Sequence, residues 1–434
     1  MVHVDGSVGL DGVAVAFDDE RAVADAGIVL VASLAGRLGV EALVDERVDL
    51  GERAGAGNEG AKVMTLISAM ALGADCIDDC DVLRSGRTAD VLGHRVMAPS
   101  TLGTFLRAFT FGHVRQLDRV LDEAIQRAWT AGAGPGDGRL VVDVDSFVGE
   151  TFGPKKQGAA FGYTRVRGYH PILATRADTG EVLHIRLRKG SANTSRGFGR
   201  FLDELLARVE RAGSTGPRLL RADSGFWNNH TFDKLDRAGW QFSIGVRLQP
   251  AVRAAIEAIE EADWQTLPDY PKTSIAQIAE TTLNDRRLVV RRVRTLDRQG
   301  QLLPTWELFA FVTNRGDDLA VVEAEHRQHA VVELAIRDLK DQALAHFPSG
   351  RFYANAAWTV IAALAHNLLR WTTVIGLPGH TVRAARTLRR RLLALPGRLT
   401  RSARRWTLHL PARWPWQHAF AEALTRIRAL APAA

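Results

Sequence analysis

Two carboxylates sit two residues apart in an otherwise apolar run: Asp143 and Asp145, among Leu140, Val141, Val142 and Val144. Alternate side chains of a strand share a face, so both acids point the same way. Burying a carboxylate is unfavourable unless a partner or a cation neutralises it. The pair, followed by the basic and glycine-rich stretch 153–168, is therefore either part of a cation site or one solvated strand end and one turn former. A second acid, Asp223, follows the apolar run 217–222 and precedes Ser224 and Gly225. The carboxyl end of a strand is where α/β sheets place ligand-binding groups; an Asp before Ser-Gly is also a common turn or cap residue. A third acid, Glu333, lies on a helical stretch in which His326, Glu333 and Lys340 recur every seven residues. They fall nearly on one line, with His329 and Arg337 one turn either side of Glu333. Such a stripe is a solvated row of paired charges or the working face of a site. Carboxylate oxygens suit Mg²⁺ or Mn²⁺, with water and phosphate filling the remaining positions.

The elements that must position these groups follow from hydrophobic periodicity. Residues 18–130 read as helical, with apolar residues at helical spacing in 26–43, 61–72 and 104–129 and with Asp18 and Ser100 as N-caps. A Gly-rich linker at 130–138 leads into strands at 140–144, 170–176 and 182–187, the last two a hairpin around Asp178-Thr179-Gly180. Then come a helix at 199–211, a strand at 217–222, a helix at 229–238 and a strand at 241–246. The alternation breaks at 249–313, a β-rich piece with strands at 287–293 and 307–312 around a turn at 297–300. One long helix is expected over 317–347 and another over 350–373. Beyond lies a tail dense in arginine, from Arg383 through Arg389, Arg390 and Arg391 to Arg404 and Arg405. The division expected is 1–137, 138–248, 249–315, 316–376 and 377–434.

Composition bounds the class. Of 434 residues 46% are hydrophobic and 24% charged, an ordinary globular balance. The 56 Lys+Arg exceed the 49 Asp+Glu, for a net charge of +7; because the excess is clustered in the tail, it points to a polyanionic partner. Cys76 and Cys80, the two cysteines, are too few for a disulfide framework and lack partners for a zinc site, and read as reduced neighbours on a helical face. No apolar run is long enough to span a membrane, and the N-terminus lacks the pattern of a signal peptide.

In this order the segments DVDSFVGETFG with GYTRVRGYHPI, LRADSGFW, and the Glu333-x6-Lys340 helix followed by AHNLLRW resemble the DDE group 1 transposases of bacterial insertion sequences. The resemblance runs from about residue 18 to 424. It implies an α/β, ribonuclease H-like mixed sheet with flanking helices, interrupted by a β-rich insertion, plus a helical N-terminal DNA-binding domain and a basic C-terminal helical tail. It implies that Asp145, Asp223 and Glu333 hold two Mg²⁺ or Mn²⁺ ions, with Asp143 the alternate to Asp145. Lys340, with His326, His329 and Arg337, would contact DNA phosphate near the scissile bond; relatives often carry Tyr and Arg where His326 and His329 stand. The activity implied is metal-dependent cleavage at terminal inverted repeats and strand transfer into target DNA, by cut-and-paste, with double-stranded DNA and a second copy of the chain as partners. A cytoplasmic, nucleoid-associated bacterial protein with no membrane contact follows. Arg389, Arg390, Arg391, Arg404 and Arg405 would hold phosphates without reading sequence, the alternatives being a solvated amphipathic helix or a dimer contact. Trp227, Trp264 and Trp306 are core residues or platforms for a flipped base. The rival classes are a decayed or domesticated DNA-binding protein and a structure-specific nuclease of the same fold.

Overall fold

The computed structural model describes residues 13–433 apart from 163, 269, 272, 297–300, 302–304 and 380–383. The turn expected at 297–300 and Arg383 lie outside the described residues.

A two-residue strand, β1 (Ala22–Val23), precedes five helices: α1 (Val29–Arg37), α2 (Val40–Arg47), α3 (Glu59–Leu72), α4 (Pro99–Ala108) and α5 (Phe111–Ala128). The continuous helix expected from 104 is broken because Phe109 and Thr110 are extended, and Thr110 starts α5 through a capping box with His113. Pro99, which has no N–H to leave unpaired, takes the first position of α4, so Ala98 rather than Ser100 is the N-cap. Asp18 begins no helix, and Cys76 lies before the short 3₁₀ turn that contains Cys80.

The strands then begin with β2 (Leu140–Ser146). Three short strands, β3 (Gly149–Glu150), β4 (Ala160–Phe161) and β5 (Arg167–Tyr169), make a small side sheet out of the glycine-rich stretch. Next come β6 (Ile172–Arg176), β7 (Val182–Arg186), α6 (Phe198–Arg211), β8 (Arg218–Ala222), α7 (Asn229–Arg237), β9 (Gln241–Gly245) and α8 (Pro250–Glu257). They are followed by β10 (Gln265–Thr266), β11 (Ser274–Leu283), β12 (Arg286–Thr295) and β13 (Glu307–Thr313). The chain closes with α9 (Leu319–Arg327), α10 (Val332–Lys340), α11 (Phe352–Gly376), α12 (Ala385–Leu388), β14 (Gly397–Ser402), β15 (Arg405–His409) and α13 (Gln417–Ala429).

One mixed sheet of nine strands has the order β10-β11-β12-β13-β9-β8-β2-β6-β7. At its centre β2 runs parallel to β8, and β8 parallel to β9, while β6 and β7 are antiparallel additions on the other side of β2. The β-rich segment is not a separate sheet. Its β13 pairs antiparallel with β9 through Phe311–Gly245 and Val312–Ile244, so β10 to β13 prolong the central sheet.

Helix α11 carries Trp358, Ile361, Ala363, Leu364, Leu368 and Trp371, all 1% exposed or less. A helix apolar on every side must be surrounded, and this one packs against α3, α4, α5, α10, α13 and β7. The resulting core is continuous from Ile28 to Ile427. The expected basic helical tail takes a different form. Beyond the short α12, Arg398, Arg401 and Arg405 ride on the hairpin β14–β15, which pairs with β1 through Arg398–Ala22. Short alternating segments such as Leu399, Thr400 and Arg401 suit a strand, and Ala403 and Arg404, both in the left-handed region, form its turn. No single helix among the described residues is long and apolar enough to cross a membrane.

Candidate active site

Val142 and Val144 are fully buried in β2, and the acids between and after them face the other way. Asp143 is paired in register with Arg221 of β8, and Val144 with Ala222. Asp145 and Asp223 are each one residue further on, at the carboxyl ends of two adjacent parallel strands. All four of Asp143, Asp145, Arg221 and Asp223 therefore project from the same face of the sheet in two layers.

The lower layer is closed. Arg221 Nε and Nη2 donate to the two oxygens of Asp143 at 2.7 and 2.8 Å, and His329 Nδ1 lies 3.0 Å from Asp143 Oδ1. Asp143 has no exposed surface and Arg221 has 2%. Both oxygens of Asp143, the alternate ligand considered from sequence, are thus engaged inside the protein.

The upper layer is open. Asp145 Oδ1 accepts the N–H of Ser146 at 2.6 Å, its one hydrogen bond with a described residue. Burial, then the neighbouring carboxylates of Asp223 and Glu333, push the Asp145 carboxyl up to about 6, against the opposing effects of the Ser146 N–H and His329. Asp223 is exposed, and Oδ1 accepts the N–H of Gly225 at 2.9 Å, capping a short turn as the bland reading of the sequence anticipated. That turn is tight: a Cβ on Gly225 would come within 2.5 Å of Thr194 Cγ2. The second oxygen of Asp223 makes no hydrogen bond with a described residue.

Glu333 comes from α10, but not along the continuous helix expected. A 3₁₀ turn at Gln328–Val331 separates α9 from α10. Glu333, Arg337 and Lys340 stay on one exposed face of α10, with no ion pair or side-chain hydrogen bond to a described residue. His326, on the other side of the break, leaves that line. Its ring stacks on Phe311 with 3.9 Å between centroids and lies 2.7 Å from Ser243 Oγ. Burial is the main cause that pulls its pKa down to about 3, so the ring is neutral. His326 and His329 are thus engaged within the protein.

The arginines of the tail also divide. Arg389 Nη1 donates to Gln342 Oε1 at 2.6 Å and is turned inward. Arg390, Arg391, Arg404 and Arg405 are exposed and paired with no carboxylate among the described residues. Arg386, Arg390, Arg391 and Trp416 line a cavity of about 390 Å³. Trp264 and Trp306 enclose Arg292, at 4.1 and 4.5 Å from its guanidinium carbon, while Trp227 packs against the core.

The donor set fits a hard divalent cation: three carboxylates with no sulfur or nitrogen ligand. Burial is the main cause of the raised Asp145 carboxyl, and the Asp223 and Glu333 charges add to it. Their ligand oxygens do not all lie within 4.8 Å of one another, unlike those of Asp118, His184 and Glu204, or the atoms of Asp75, Cys76 and Asp79. The tighter Asp118 set is already neutralised by Arg115 and Arg208. In the Asp75 loop, Asp79 caps the N–H groups of Asp75 and Cys76.

Sequence reasoning missed Arg221. The signal was present, since Arg221 stands two residues before Asp223 as Asp143 stands two before Asp145.

Among solved structures, the chain is similar to a piggyBac transposase synaptic complex with hairpin DNA, at 14% identity and a TM-score of 0.44, covering 84% of this chain and 79% of that one. No curated protein matches the sequence. The model of one family, described as Transposase DDE domain group 1, matches residues 7–432. With Asp145, Asp223 and Glu333 at one end of the parallel strands and the match running over nearly all of the chain, the protein belongs to that family of metal-dependent DNA transposases.

Proposed function

We propose that this transposase serves a bacterial insertion sequence, cutting at the element's terminal inverted repeats and joining the freed ends to target DNA by a cut-and-paste route. The observation that carries the reading is the open layer of Asp145 and Asp223, one residue past the last paired position of β2 and β8, with Glu333 close enough to raise the Asp145 carboxyl. The order β7-β6-β2-β8-β9, antiparallel then parallel, supports a ribonuclease H-like catalytic core within residues 138–248 and 316–376. Residues 1–137 would bind the element's end, and residues 249–315, which extend the sheet, would flank the DNA.

Asp145, Asp223 and Glu333 would hold two divalent ions, Mg²⁺ or Mn²⁺. Bound there, the ions would polarise the attacking and leaving oxygens of an in-line displacement. The chain's own part is positional. Two acids come from rigid strands and the third from a helix, so the phosphodiester is met by a fixed frame. Arg337 and Lys340, exposed beside Glu333, would hold its non-bridging oxygens. In cleavage, a water oxygen bonds to phosphorus as it gives a proton to solvent, the bond to the 3′ oxygen breaks, and that oxygen takes up a proton from solvent to become a 3′-hydroxyl. In transfer, the oxygen of that 3′-hydroxyl bonds to a target phosphorus as it gives up its proton to solvent, and the displaced target 3′ oxygen takes up a proton. Arg390, Arg391, Arg404 and Arg405 would grip flanking phosphates. His326, His329 and Arg389, each bonded internally, would not contact the DNA. Two ends processed together call for a homodimer, working on the nucleoid in the cytoplasm.

The test is joining. An end duplex with a preformed 3′-hydroxyl, supplied with supercoiled plasmid and Mg²⁺, should yield plasmid covalently linked to the duplex. Cleavage of intact ends without joining would favour a nuclease, and end binding without either reaction in Mg²⁺ or Mn²⁺ would favour a decayed DNA-binding protein.

A further inference from the structure

Beneath the open acids, Arg221 does more than pair with Asp143. Its Nη1 donates to the carbonyl of Glu325 at 2.5 Å and its Nη2 to the carbonyl of Gln328 at 3.4 Å. These carbonyls lie at the end of α9, where the Glu325 carbonyl also accepts the N–H of the C-cap residue Gln328. Asp143 in turn holds His329, inside the 3₁₀ turn that links α9 to α10. One buried guanidinium and one buried carboxylate thereby join β2, β8 and the root of the helix that carries Glu333.

Stability alone is a poor reason for such a pair. Well-packed apolar residues of similar volume often serve as well or better in a buried position. Geometry supplies another reason. His329 stands four residues before Glu333, in the 3₁₀ turn that leads directly into α10. Asp143 stands two residues before Asp145 on the same face of β2. Because α10 packs on β2 and starts directly after this turn, tying His329 to Asp143 fixes the start of the helix that carries Glu333 beside the strand that carries Asp145.

We infer that Asp143, Arg221 and His329 are positioning residues that set the height and rotation of α10 over the Asp145–Asp223 pair, and with them the spacing in which divalent ions are held. The inference rests on the reading of Asp145, Asp223 and Glu333 as the ligands. Groups that orient metal ligands affect metal affinity as well as turnover, and loss of a phosphate contact would not.

The full-length protein is compared with three variants. The double substitution Asp143→Leu with Arg221→Met removes both charges and orphans neither. His329→Ala cuts the tie to Asp143, and His329→Gln keeps an amide donor for it. Mn²⁺ affinity is read from the free-ion electron paramagnetic resonance signal, alongside duplex binding and the kcat and KM of end nicking. The double variant and His329→Ala should each lose about tenfold or more in Mn²⁺ affinity and in kcat, with duplex Kd and KM held within about twofold, and His329→Gln should recover most of the loss. If the double variant does not fold, the His329 pair decides alone. A wild type that binds Mn²⁺ and nicks, alongside a His329→Ala variant equal to it in both, overturns the inference and leaves the ligand reading intact. A wild type that neither binds Mn²⁺ nor nicks overturns the ligand reading and the inference with it.

Discussion

Asp143 and Asp145 are chemically identical and two residues apart, yet the fold treats them oppositely. Asp143 meets a guanidinium and an imidazole, whereas Asp145 meets one backbone N–H and two further acids. A carboxyl held above its ordinary range loses stability when ionised, so without metal the charge of Asp145 opposes folding at neutral pH. Asp145→Asn should therefore raise the melting temperature of metal-free protein at pH 7.5, by about 1 kcal/mol or roughly 1–2 °C. It should also weaken the rise that Mn²⁺ gives the wild type. A lower melting temperature without metal would contradict this account of the site. The face shared by the two acids is legible in the strand's alternation. Which of them is neutralised is not, because it depends on the register of β2 with β8, some 78 residues away in the chain.

At the scale of elements, the sequence displays periodicity clearly and junctions poorly. The hairpin β6–β7 and helices α6 and α7 fall close to their expected positions, since each carries a local pattern and a turn or cap signal. The α9–α10 break was invisible because His326, Glu333 and Lys340 keep helical spacing across it; Arg221, reaching in from β8, holds the carbonyls there. Helix α5 is docked by a similar non-local device. Asp118 of α5 and Glu204 of α6 share Arg115, and His184 of β7 stands between them, 3.1 Å from Glu204 and 3.6 Å from Asp118. Burial pushes the Glu204 carboxyl up, but the His184 hydrogen bond with the Arg186 and Arg115 charges outweighs it and holds the group down at about 2. A depressed carboxyl contributes stability that is present above its ordinary value of 4.5 and is lost as pH falls towards the folded value. The stability advantage of wild type over Glu204→Gln should therefore shrink between about pH 4.5 and 2, as followed by thermal melts. An advantage constant across that window would mean that Glu204 is not held by its charge.

Across the whole molecule, the divisions expected from composition are bridged by one core. Helix α11 touches the N-terminal helices, the sheet and α13, and β1 pairs with the hairpin β14–β15 near the other end of the chain. Runs of arginine made the basic character of the C-terminal segment legible. They did not reveal its hairpin, whose pairing with β1 is remote in sequence. Arg404 and Arg405 lie at the hairpin tip, exposed. Replacing both with alanine should leave the melting temperature unchanged and reduce the slope of log K against log salt for duplex binding by about 2. An unaltered slope would remove the tip from the DNA-binding surface. The claim on which the rest depends is that Asp145, Asp223 and Glu333 form the reaction centre. It is tested most directly by incubating a labelled duplex bearing the element's end with Mg²⁺ or Mn²⁺ and wild type, Asp223→Ala or Glu333→Ala protein. Metal-dependent nicking at the terminus by wild type, lost in both variants while they still bind the duplex, is the expected result; nicking that survives either substitution would contradict it.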